Sequence, residues 1–280
     1  MITRYVLALV LVASTMVGGC QTPPPPRPHL RVLTYNIHHG QGTDGRFDLP
    51  RLAAVIRALQ PDLVALQEVD RKTRRAGGVD QAAELGRLTG MHARFGKAMD
   101  YSGGGYGEAI LSRFKVLEAR TIPLPADRGF EPRAALAVRV QPPGLPALWF
   151  AGTHLDHTAD DRQRLMQVDA LVKALVRELP EATILAGDLN ADADSRPIGR
   201  LRAHFRDAAD SRPQPTWPAD QPRTRIDWVL LRPLGAWRVV EARVIEETVA
   251  SDHRPLLVEL EWVGARVDVA EILSLVDLAP

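Results

Sequence analysis

The sequence predicts an α/β protein, a four-layer sandwich in which two packed mixed β-sheets are flanked by helices. Three observations carry this expectation. Between Leu30 and Trp262, apolar β-branched runs such as LRVLTYNI and ATILAGDLN alternate with amphipathic stretches of helical period. The middle of the chain instead strings short strand-like runs together in a meander. The apolar runs also end abruptly in polar clusters: NIHH, QEVD, THLDH, GDLN and SDHRP. Buried strands that deliver acids, amides and imidazoles at one end build a site at that edge.

The elements follow in order, with no linker long enough to split the body. LRVLTYNI is the first strand. In DLPRLAAVIRALQ, Asp48 is placed as an N-cap and Pro50 falls in the first turn. Leu52, Val55, Ile56 and Leu59 share one face, and Pro61 ends the helix. DLVALQEV is a strand, apolar until Gln67 and Glu68, and VDQAAELGRLTG is a short helix stopped by Gly90. Strands are expected around 92–97, 106–113, 115–122, 134–140 and 146–152, then a long helix over 160–177. ATILAGDLN is a buried strand breaking into a loop, and strands near 226–231, 237–246 and 255–262 complete the body. The tail VDVAEILSLVDLAP reads as a short helix packing an apolar face on the body.

Of the 280 residues, 45% are hydrophobic and 25% charged, an ordinary globular balance. A formal charge of +1 gives no strong sequence-independent attraction to nucleic acid. At the N-terminus, Arg4 precedes YVLALVLVASTMV, an apolar stretch short for a bilayer span, so residues 1–19 read as an export signal. Small residues before the cysteine in VGGC resemble a bacterial lipobox, in which Cys20 becomes the lipidated first residue. The alternatives are a conventional signal peptide with an incidental cysteine, or an uncleaved anchor. Cys20 is the only cysteine, so no internal disulfide accounts for it. Loss of residues 1–19 takes Arg4 from the 35 basic residues, leaving 34 against 34 acidic ones. QTPPPPRPH would then form an extended stalk. The expected organisation is a signal peptide 1–19, a lipidated Cys20 and stalk 20–29, a catalytic domain 30–262 and a tail helix 263–280. Gln21 after the cysteine, rather than Asp, points by analogy with bacterial sorting to the outer membrane, in a host that has one.

Five of the eight histidines, His38, His39, His154, His157 and His253, sit in or beside the polar clusters. With them stand the carboxylates Glu68, Asp156, Asp188, Asp227 and Asp252 and the amides Asn36 and Asn190. Oxygen donors without a thiolate favour Mg²⁺ or Mn²⁺, with Ca²⁺ as a further candidate. Zinc finds neither HExxH nor paired cysteines. His157 is expected in a solvated loop, Asp156 as support for an imidazole or the backbone, and His29, His92 and His204 at the surface or stalk.

LTYNIHHG, LQEVD, YGEAILSRF, GTHLDH, LAGDLNAD, RIDWVL and SDHRPL stand in the order found in the endonuclease/exonuclease/phosphatase superfamily. The chain resembles that superfamily over about residues 30–262. The resemblance implies the DNase I-like fold and metal-dependent phosphoester hydrolysis. It implies Glu68 as the principal metal-binding carboxylate, with Asn36 close by and Asp252 at the same ion or its waters. Asp188 would contact the attacking water and Asn190 would donate to a phosphate oxygen. Asp227 would orient His253 as the general base, a role the family shares in dispute with the aspartate of GDLN. His154 would face the phosphate from the other half of the site. Arg133 of EPRAAL is a candidate for substrate contact, equally an outward surface arginine. RKTRR, 71–75, either frames an anionic substrate or is a solvated face.

Two departures narrow the function. His38 stands where DNA-repair relatives have aspartate and phosphoinositide phosphatases asparagine, so it is expected to touch substrate or phosphate, with His39 supporting the loop. Glu108 stands where the family commonly has asparagine, adding negative charge or pairing with an arginine. The leading expectation is a monomeric phosphodiesterase or phosphatase outside the cytoplasm, membrane-tethered, acting on lipid-headgroup or small phosphoesters. A DNase I-like extracellular endonuclease is the alternative, disfavoured by the neutral charge. A non-catalytic surface-binding module is the third.

Overall fold

Strand β1 (His29–Asn36) shows how the apolar runs are used. Leu30 and Val32 enter the core between the two sheets, while Leu33 and Tyr35 pack under helices on the opposite face. A strand covered on both faces needs a nearly continuous apolar run rather than simple alternation. The computed structural model describes residues 28–179, 181–210 and 214–264. The expected signal peptide, Cys20, most of the stalk and the tail helix lie outside these residues.

The first sheet contains β1, β2 (Leu63–Arg71), β3 (His92–Tyr101), β4 (Gly104–Ser112), β11 (Trp237–Val244) and β12 (Leu256–Trp262), in the order β11-β12-β1-β2-β4-β3. The second contains β5 (Glu118–Leu124), β6 (Arg133–Val140), β7 (Leu148–His154), β8 (Ala182–Asp188), β9 (Arg206–Asp207) and β10 (Asp227–Arg232), in the order β5-β6-β7-β8-β10-β9. Each sheet has one parallel pair, β1–β2 or β7–β8, amid antiparallel neighbours. Helices α1 (Leu49–Leu59) and α2 (Gln81–Thr89) cover the first sheet, and α3 (Arg162–Val172) and α4 (Arg196–Arg202) the second. This is the four-layer mixed sandwich expected from the sequence.

Local chemistry sets the helix ends. Asp48 caps α1 by accepting from Arg51 N–H at 2.9 Å, and Gly90 closes α2 in the left-handed conformation, φ 71°. Several bounds differ from expectation. Strand β5 begins at Glu118, later than 115, and the long helix starts at Arg162 and passes into a π-helical stretch, Lys173–Glu178. Helix α4 was not anticipated, because only Pro197, Ile198 and Leu201 of its seven residues are buried. Among the described residues no helix is long and apolar enough to cross a membrane.

Candidate active site

The two parallel pairs deliver the site. Asn36 ends β1 level with Gln67 of β2, while His154 ends β7 level with Asp188 of β8. Asp227, first in β10, lies opposite Asp188. A bulge between Leu66 and Val69 sets Glu68 out of the ladder with φ 58°. The loop before β12 carries Asp252 and His253, tied back by a hydrogen bond from Ser251 Oγ to the Asn36 carbonyl at 2.7 Å.

Asn36 joins the two sheets. Its Oδ1 accepts from His38 N–H at 3.0 Å, which settles the amide orientation because a backbone nitrogen can only donate. Its NH₂ therefore donates to Glu68 Oε1 at 3.0 Å and Asp188 Oδ2 at 3.1 Å. From the sequence, Asn36 is expected beside the metal-binding Glu68, as a contact to the metal or the substrate. The geometry instead turns a donor, not a lone pair, toward the carboxylates, so Asn36 organises them.

Two imidazoles flank Asp188. His253 Nδ1 donates to Asp227 Oδ2 at 3.0 Å, and its Nε2 lies 3.6 Å from Asp188 Oδ2. Burial opposes charge on this ring, but Asp227 and Asp188 outweigh it and hold the pKa above the ordinary histidine range. Asp188 is raised by burial and by Asp227 beside it. On the other side, Arg133 donates to His154 Nδ1 at 2.9 Å and to His157 Nδ1 at 3.1 Å. A guanidinium has no acceptor, so both Nδ1 atoms take the hydrogen bond and both rings carry their proton on Nε2. Burial and Arg133 keep His154 neutral, its pKa well below the usual value. His154 Nε2 lies 3.4 Å from Asp188 Oδ2 and 2.9 Å from Asn190 Nδ2, which itself donates to the Leu155 carbonyl at 3.0 Å.

These groups open on a cleft of about 620 Å³. Glu68, Arg133, His154, Asp188, Asn190, Asp252 and His253 line it, and Asp227 stands behind His253. His38 does not line the cleft; its Nδ1 donates to the Gln41 carbonyl at 3.1 Å. The neighbouring His39 lines it instead, as does His157. Their proximity to NI and THLD was the available signal, but adjacent loop residues point different ways. Asp156 accepts from Thr158 N–H at 3.0 Å and braces the loop rather than an imidazole. Arg75 alone of RKTRR reaches the cleft, gripped by Asp70 at 2.6 and 3.0 Å and stacked 4.4 Å from the Tyr101 ring centre. Glu108 forms no ion pair among the described residues: burial raises its pKa well above the carboxylate range and favours the neutral form, despite Arg133, and its Oε2 has no hydrogen-bond partner there.

The profile of the Endonuclease/Exonuclease/phosphatase family matches residues 33–253. The chain belongs to this family. The uncharacterized protein YbhP of Escherichia coli is 28% identical over 256 residues, covering 82% of this chain and 95% of that protein. An endonuclease/exonuclease/phosphatase from Beutenbergia cavernae superposes with a TM-score of 0.70 at 28% identity, over 87% of this chain and 74% of that one. A mannosyl-6-phosphatase from Bacteroides thetaiotaomicron shares the fold with a TM-score of 0.69 at 20% identity, over 83% of this chain and all of that one (100%). The family hydrolyses phosphoesters and typically uses a divalent metal. The residues here fit such an ion. Glu68, Asp188 and Asp252 present hard oxygens, and the buried Nδ1 of His39 has no hydrogen-bond partner among the described residues. Asp188, Asp227 and His253 also place one donor atom each within 4.8 Å of one another.

Proposed function

We propose that this chain is a divalent-metal-dependent phosphodiesterase or phosphatase that acts outside the cytoplasm on lipid-headgroup or small-molecule phosphoesters. One observation carries the reading. His154 Nε2–H and the Asn190 NH₂ are two donors held 2.9 Å apart at the cleft wall, where a shared anionic oxygen would satisfy both. Asp188 stands beside them between the two imidazoles, placed to receive a proton from water.

The residues divide the work accordingly. His154 and Asn190 bind a phosphoryl oxygen and orient the phosphorus. Asp188 aligns the attacking water. Asp188 takes its proton, coupled to the charged His253 and to Asp227 behind it, rather than His253 acting alone. Glu68, with Asp252 nearby, would hold the cation, which when bound would supply Lewis-acid neutralisation of the phosphoryl charge. Arg133 acts on the substrate through the imidazoles it holds. The fold shared with a mannosyl-6-phosphatase supports a small phosphoester.

The full chain with Mg²⁺ or Mn²⁺ is to be offered a bis-aryl phosphodiester, an aryl phosphomonoester, plasmid DNA and phospholipid vesicles. Turnover of a small ester or lipid is expected, reduced by roughly 10²–10⁴-fold in His253→Ala. Fastest turnover of plasmid would replace this reading with the endonuclease. No turnover, unchanged by the substitution, would point to a binding module. The proposed membrane tether at Cys20 predicts release of Cys20→Ser from membranes; continued retention would rule out lipidation.

A further inference from the structure

We infer that His39 supplies an imidazole ligand, through Nδ1, to the cation at Glu68, and that the centre thereby selects Mn²⁺ over Mg²⁺. This rests on the metal-dependent reading above and goes beyond its oxygen donors.

The first ground is an unspent ring nitrogen. His39 Nδ1 is buried, has no hydrogen-bond partner among the described residues, and lies 3.7 Å from Glu68 Oε2. That is too long for a hydrogen bond. It is within the span of two ligands on one ion, since bonds of about 2.0–2.2 Å to nitrogen and oxygen allow donor separations up to about 4 Å. The other Glu68 oxygen is already held by Asn36, so Oε2 is the atom left for a cation. His38 makes the contrast, because its Nδ1 is spent on the Gln41 carbonyl.

The second ground is backbone strain. His38, His39 and Gly40 are consecutive left-handed residues, with φ 45°, 46° and 87°, and Glu68 facing them has φ 58°. Left-handed non-glycine residues are costly and persist where the surroundings over-determine them, often at functional sites. Here Gln81 Nε2 donates to the His39 carbonyl at 2.6 Å. The ring is wedged edge-on to His38, with centres 4.4 Å apart, and lies 5.8 Å from Phe47. Both partners of the pair are thus forced into unfavourable conformations that bring a nitrogen and an oxygen face to face.

A nitrogen donor changes which ion is preferred. Carboxylates alone suit Mg²⁺, whereas imidazole favours first-row transition ions, and Mn²⁺ accepts both donor types. Two protein ligands suit an ion that keeps several waters.

The test is made on the full chain with Mn²⁺ and no substrate, reading ¹⁴N modulation of the electron spin echo and the Mn²⁺/Mg²⁺ affinity ratio. Wild type should show ¹⁴N modulation. His39→Phe, which keeps the wedge but not the nitrogen, should lose it and drop the ratio about tenfold, while His38→Phe should retain both. Circular dichroism checks folding, and His39→Asn serves if the phenylalanine variant does not fold. Bound Mn²⁺ without ¹⁴N modulation, or modulation surviving both His39 variants, overturns the inference alone. Failure of the wild type to bind Mn²⁺ overturns the metal-dependent reading with it.

Discussion

His154 and His253 lie on either side of one carboxylate oxygen, Asp188 Oδ2, at 3.4 and 3.6 Å, yet they are held in opposite states of charge. Both are nearly buried, 4% and 5% exposed, so burial does not separate them. The third partner does. Asp227 accepts from His253 Nδ1 and favours the imidazolium, whereas Arg133 donates to His154 Nδ1 and forbids it. A histidine's role in a buried site is thus written by the group behind it. One side of Asp188 handles protons and the other presents a neutral N–H to an anion.

Replacing Arg133 should break the contrast with the largest effect. In Arg133→Met, His154 Nδ1 loses its donor while Asp188 remains, so the ring should become protonated at both nitrogens near neutral pH, as in His253. Imidazole ¹⁵N shifts would read this directly, and turnover should fall on the order of 10²-fold. An unchanged His154 spectrum would show that something other than Arg133 imposes its neutrality.

The pH dependence of stability should sharpen it with a smaller effect. His253 has its folded pKa raised, so its contribution is fully present below the unfolded value and is lost as pH rises through the folded one. Asp188, raised to about 7, loses its contribution over a lower window, between the ordinary carboxylate value and about 7, and so opposes His154 on the acid side. His154 has its folded pKa lowered, so its contribution is present above the unfolded value, about 6.5, and is lost as pH falls below it. Urea unfolding of the metal-free protein should therefore weaken on the alkaline side, while on the acid side the His154 and Asp188 contributions oppose each other. His154→Gln should raise stability selectively on the acid side, and His253→Gln should flatten the alkaline limb. If either variant flattens the opposite limb, the charge assignment is wrong.

The smallest effect is expected at Glu108. Burial drives the Glu108 carboxyl well above its ordinary pKa and favours its neutral form. Glu108→Gln should accordingly alter stability by less than about 1 kcal/mol and leave Arg133 and the imidazole shifts in place. A large loss would mean that Glu108 is ionised and belongs to the Arg133 side of the contrast.

Much of the fold was legible because its causes are local. Asp48 with Pro50 starts a helix wherever it occurs, and a run such as ATILAG finds cover on both faces only between layers. The site was legible where function falls at strand ends: Glu68, His154, Asp188, Asp227 and His253 do come together at one edge. The roles of adjacent residues were not. In NIHH the sequence reading sends His38 to the substrate, but three consecutive left-handed residues swing His39 into the cleft and turn His38 to a backbone carbonyl. Nor does THLDH announce that His157 shares a guanidinium with His154, because Arg133 arrives from another strand.

By itself, then, the sequence determined the layers, the edge and the kinds of side chain gathered there, since periodicity and strand ends are properties of short segments. Only the tertiary structure decided which imidazole is charged, which is neutral and which faces Glu68. Those outcomes depend on partners 2.9 to 3.7 Å away in space, such as Arg133 for His154, Asp227 for His253 and Glu68 for His39, that lie 21 to 29 residues away along the chain.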